Sequence, residues 1–70
     1  MRHNRLDHLS TDELERLIVQ YIHNQRNREI VKQRFVNGTK FEDLADRFEL
    51  SVPQVKTIVY NSEQIIFNHI

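Results

Sequence analysis

The stretch from Thr39 to Tyr60, TKFEDLADRFELSVPQVKTIVY, limits what this chain can fold into more than any other part of it. Thr39 is followed three residues later by Glu42, a spacing at which the hydroxyl accepts the Glu42 amide while the carboxylate reaches back to the Thr39 amide. Phe41, Leu44, Ala45 and Phe48 then recur at three- and four-residue intervals, which predicts a helix of about nine residues with one apolar face. Ser51 and Gln54 repeat the capping spacing, and Pro53 falls in the first turn, where its missing amide hydrogen costs no helical bond. Val55, Ile58 and Val59 supply the apolar stripe of this second helix. Ala45 is small enough for the closest approach of two steeply crossing helices, and Leu50 can plug the angle between them. Two helices joined by a three-residue turn form the helix-turn-helix layout, whose usual use is to set the second helix in the major groove of DNA.

The remainder supplies the support for that unit. Residues 1–9 form an N-terminal arm carrying His3 and His8, whose spacing fits no compact metal motif. Residues 10–24 form a leading helix: Ser10 and Glu13 make another capping box, Leu9 and Leu14 a hydrophobic staple, and Leu14, Leu17, Ile18, Tyr21 and Ile22 an apolar stripe that ends at about His23 or Asn24. A polar joint then leads to a helix with Asn27 as its N-cap and Ile30, Val31, Arg34 and Phe35 along one side. Asn37-Gly38 ends it, because the chain's one glycine accepts the left-handed conformation without steric cost. The last helix continues past Tyr60 to Phe67 or Asn68. The apolar groups Ile65, Ile66, Phe67 and Ile70 fold back on the leading helix or bury against a second copy. The expectation is a single all-α domain over residues 1–70, a small four-helix fold with a C-terminal helix-turn-helix.

Seventy residues with no cysteine leave no disulfide framework and no thiolate metal site. No apolar run approaches the roughly 20 residues that span a bilayer and no signal-peptide pattern is present, so the expectation is a cytoplasmic protein without a membrane partner. Net charge is zero, but it is unevenly spread. Residues 1–25 sum to −1, residues 26–40 to +4 through Arg26, Arg28, Lys32, Arg34 and Lys40 against Glu29, and residues 41–70 to −3. The basic charge therefore precedes the two-helix unit, where phosphate contacts can be made.

The run NREIVKQRFVNGTKFEDLADRFELSVPQVKTIVYNSEQIIF resembles region 4 of bacterial RNA polymerase sigma factors. The features that carry the resemblance are Arg34-Phe35 ending a helix, Gly38, Thr39, the Leu44-Ala45 pair, Leu50-Ser51 and Val55-Lys56, in the family's order and spacing over residues 27–68. The small size and extra leading helix also resemble the short sigma-like regulators of phages and prophages. Two positions depart from the pattern. Glu49 stands where family members usually carry Gly in the turn, and Val52-Pro53 replaces polar residues that reach bases, leaving at most a thymine-methyl contact for Val52.

The resemblance implies double-stranded promoter or operator DNA as partner, with RNA polymerase as a further partner in true sigma factors. Base contacts fall to Gln54, Lys56, Thr57 and Asn61, with Tyr60 more easily explained as packing. Phosphate contacts fall to Arg28, Lys32, Arg34, Thr39 and Lys40. Regions that melt promoters are missing from this stretch, so initiation by this chain alone is not expected. Two functions stay open: a DNA-binding transcriptional regulator, dimeric in its simplest form, or a protein-interaction module of the same fold that binds RNA polymerase, another regulator or a second copy. Neutral charge and Val52-Pro53 favour the second. No catalytic constellation, phosphate loop or metal box is present, so neither an enzyme nor a cofactor or metal site is expected.

Overall fold

Ser10 opens the first helix as its spacing from Glu13 predicts: its Oγ accepts the Glu13 amide at 3.2 Å, and the Glu13 carboxylate accepts the Ser10 amide. In the computed structural model, which describes residues 9–69, this helix, α1, covers Thr11–Tyr21. It is followed by α2 (Gln25–Asn37), α3 (Phe41–Phe48) and α4 (Val52–Phe67). The described residues are 79% helical and contain no strand, so the protein is a small all-α domain. The arm through His8, with His3 and His8, and the terminal Ile70 lie outside the described residues.

Two packed clusters share the long α4. One joins Ile30 of α2, Leu44 and Ala45 of α3, and Val55 and Val59 from the first half of α4. The other joins Leu14, Ile18 and Ile22 from α1 and its C-cap to Val31 of α2 and Ile66 near the end of α4. Phe35 and Ile58 pack against both, so the clusters are continuous through α2 and α4. Val55, Val59, Ser62 and Ile66 recur at three- and four-residue steps and are the buried face of α4. The tail thus folds back on the leading helix through Ile66, while Ile65 beside it is 42% exposed.

Three helix boundaries differ from the sequence expectation, each for a physical reason. α1 stops at Tyr21, short of His23, and the Arg28 guanidinium takes its last carbonyls: Nε donates to Ile22 O and Nη2 to Val19 O at 3.0 Å. The N-cap of α2 is Asn24, not Asn27. Asn24 Oδ1 accepts the Asn27 amide at 3.0 Å, and the earlier start places Arg28 within reach of α1. The N-cap of α3 is Lys40, without a side-chain cap, so the expected Thr39 box does not form. Thr39 is consumed in ending α2: its amide donates to Gln33 O at 3.1 Å, and its carbonyl accepts Arg34 Nη1 at 3.0 Å. Glu42 and Asp43 in the first turn of α3 still oppose the positive end of its dipole favourably.

Gly38 does adopt the left-handed conformation, at φ 69°, and its amide closes on Arg34 O. Glu49 does the same at the end of α3, at φ 56° and ψ 45°. A side chain there costs about 1–2 kcal/mol relative to a right-handed residue. Leu50 anchors the turn that follows, donating its amide to Ala45 O at 2.9 Å and packing its side chain on the α2/α3/α4 cluster.

Candidate nucleic-acid interface

The N-terminal half of α4 is positioned by its cap. Ser51 Oγ accepts the Gln54 amide at 3.2 Å and Gln54 Oε1 accepts the Ser51 amide at 2.8 Å, with Pro53 in the first turn. Because Val55 and Val59 are buried, the helix turns Gln54, Thr57 and Asn61 to solvent. At 100° per residue these three fall within an arc of about 60°. Glu63, the one acidic residue between Ser51 and Asn68, is half-buried and lies about 120° around the helix from Thr57. The outer face of α4 is therefore free of negative charge and rich in hydroxyl and amide groups.

Each edge of that face carries a cation. On one side an open pocket of about 390 Å³ is lined by Arg26, Leu50, Pro53, Gln54, Thr57 and Ile58, which brings Arg26 of α2 beside the start of α4. On the other side Phe41 is a platform: the Arg34 guanidinium lies 4.1 Å from its ring centroid, Lys56 Nζ lies 5.7 Å away, and Tyr60 meets it edge-on at 6.1 Å. Cation–ring attraction of this kind contributes about 0.5–1 kcal/mol at exposed sites and holds the cations in place. Tyr60 is 48% exposed, so its ring packs on Phe41 while its edge remains in solvent.

The five residues expected at phosphates separate into two groups. Arg28 is spent on the α1 carbonyls and Lys32 pairs with Glu15 of α1 at 3.3 Å, so both serve the attachment of α1. Arg34 and Thr39 hold the α2–α3 turn, with Arg34 also on the Phe41 platform, and Lys40 is exposed at the start of α3. Of the residues expected at bases, all four are exposed. Gln54 and Thr57 line the pocket with Arg26, Lys56 sits on the Phe41 side, and Asn61 follows one turn beyond Thr57. Arg26 was missed because the Asn27 cap assignment left it in a joint. With Asn24 as cap it is the second residue of a helix and lines the pocket beside α4, its Nε and Nη2 donating to Asn27 Oδ1 at 3.3 Å.

Among the described residues no group of three or more His, Cys, Asp or Glu side chains could hold a metal ion, and no helix is long and apolar enough to cross a membrane. Comparison with protein-family models, with curated proteins and with solved structures returns no match to this chain.

Proposed function

We propose that the protein is a DNA-binding transcriptional regulator in which α3, the Glu49–Ser51 turn and α4 act as a sigma region 4-like helix-turn-helix, with α4 entering the major groove of duplex DNA. The observation that carries this reading is the outer face of α4. It joins Gln54, Thr57 and Asn61 on one acid-free arc and is flanked by Arg26 on one side and Lys56 on the other. Phosphates repel acids, and base edges demand hydrogen-bonding groups of this kind at a helix's exposed N-terminal half. Arg26, Arg34, Lys40 and Lys56 are then the phosphate-facing cations, while Arg28 and Lys32 act within the fold.

Four such contacts give a slope of log affinity against log salt of about −3 to −4, from roughly −0.9 per phosphate neutralised. A mobility-shift titration of selected duplexes at 50 and 200 mM salt tests this, these being the concentrations over which about 60- to 250-fold weakening is expected. No shift at low salt with random-sequence or promoter libraries ends the reading.

A second reading, a protein-interaction module for RNA polymerase, another regulator or a second copy of the chain, is supported by two exposed apolar side chains. Val19 of α1 is 58% exposed, and Ile65, one turn beyond Asn61 on α4, is 42% exposed. It takes precedence if duplex binding is absent while the chain sediments as a dimer or is retained by polymerase.

A further inference from the structure

The hydrogen bonds that build α4 also restrict what its exposed side chains can read. Gln54 Oε1 is committed to the Ser51 amide at 2.8 Å, so the carboxamide oxygen faces back toward the helix start and the NH2 group is what remains for a partner. Thr57 Oγ1 donates its one hydrogen to Pro53 O at 3.0 Å, which leaves that oxygen as an acceptor. Gln54 and Thr57 are neighbours on the helix surface, three residues apart, and line the same open pocket beside Arg26.

Resting on the DNA-binding reading above, we propose that Gln54 is a donor-only reader selecting guanine, and that Thr57 is an acceptor-only reader selecting an exocyclic amino group on the adjacent base pair. A free glutamine ordinarily pairs with adenine, donating to N7 and accepting from the N6 amino group. Here the oxygen needed for the second bond is turned back to the Ser51 amide, so at adenine the Gln54 NH2 has N7 alone as an acceptor and lies beside the N6 amino group. Guanine presents two acceptors, O6 and N7, and takes the donor without conflict. Thr57, with no hydrogen to offer, is matched by an exocyclic amino group, cytosine N4 or adenine N6, on the adjacent base pair. Freeing the Gln54 oxygen for adenine breaks the capping box, so the cap itself is the specificity device.

The experiment is duplex selection from a random library by the wild-type chain, by Gln54→Glu and by Thr57→Val, with thermal unfolding of each variant as the fold control. Glutamate keeps the Ser-x-x-Glu box and therefore the helix start, but has no hydrogen to donate. The wild type is expected to enrich a G·C pair at one position. Gln54→Glu is expected to unfold at the wild-type temperature or higher, and to lose a guanine-over-adenine preference of the order of tenfold in favour of cytosine. Because the measure is the affinity ratio of two duplexes differing in one base pair, repulsion between the new carboxylate and phosphates cancels. Thr57→Val is expected to relax the preference for cytosine or adenine at the adjacent position without shifting the guanine. An enriched site with adenine at the position that responds to Gln54, or one unchanged by Gln54→Glu, overturns the assignment while leaving DNA binding intact. Enrichment of no duplex by the wild type overturns both.

Discussion

The two halves of the core are built from similar apolar side chains and differ in what their cations do. Around Leu14, Ile18, Ile22, Val31 and Ile66, the nearby charges are absorbed: Arg28 closes the end of α1 and Lys32 pairs with Glu15. Tyr21 stacks flat on His69 at 3.9 Å, tying α1 to the end of α4. Around Ile30, Leu44, Ala45, Val55 and Val59, Lys56 is laid on an aromatic ring and Arg26 rests beside an open pocket, so their charge stays at the surface, while Arg34 lies on the same ring and also donates to Thr39 O. One half uses Arg28 and Lys32 to attach a helix; the other displays Arg26 and Lys56. A basic segment in the sequence is therefore two populations in the fold, divided by which neighbouring helix each residue faces.

The strongest way to separate the halves is to open one of them. Leu44→Ala, at a fully buried position of the α2/α3/α4 cluster, is expected to cost about 2–5 kcal/mol. That is a large share of the roughly 4–10 kcal/mol expected of a 70-residue domain, and chemical denaturation followed by circular dichroism measures it. Because Phe35 and Ile58 touch both clusters, loss of the whole helical signal in one step is expected.

Arg28→Met sharpens the contrast between the two groups of cations. Losing its hydrogen bonds to Ile22 and Val19 is expected to cost about 1–2 kcal/mol. Amide exchange should accelerate in α1 while α3 and the first half of α4 stay protected, and duplex affinity should be unchanged within about twofold apart from nonspecific charge. A loss of affinity as large as that of Lys56→Ala would mean that Arg28 faces DNA after all.

The caps come next. Ser51→Ala is expected to destabilise by about 1 kcal/mol and Thr39→Ala by less than about 0.5 kcal/mol, since only the first hydroxyl accepts a helix amide. Thermal unfolding of the two variants side by side checks this. The smallest change should be a gain: Glu49→Gly removes a side chain from the left-handed region, offset by the greater freedom of glycine in the unfolded chain, for a net stabilisation of about 0.5–1 kcal/mol.

Much of this architecture is legible in the residues. The Ser10 and Ser51 boxes, the Gly38 stop, the extent of α4 to Phe67 and the apolar stripes are local patterns, and local patterns survive packing. What is not legible depends on partners distant in sequence. Asn24 and Asn27 are equally good caps in isolation, and the choice between them is linked to Arg28 reaching α1. Thr39 has a capping spacing, but the glycine before it makes its amide part of the preceding helix's stop. The placement of Arg26 at the pocket, and the loss of Arg28 and Lys32 to α1, follow from how the helices cross, which no spacing along the chain records.

The central claim, that the acid-free face of α4 is the surface that meets duplex DNA, is tested most directly by titrating the isotopically labelled protein with a selected duplex and following its amide resonances. The expected result is perturbation concentrated on residues 51–61, on Arg26 and on Lys40, with Val19 and the rest of α1 unmoved. Perturbation confined to α1 and the end of α4, or a spectrum that does not change at low salt, would contradict it.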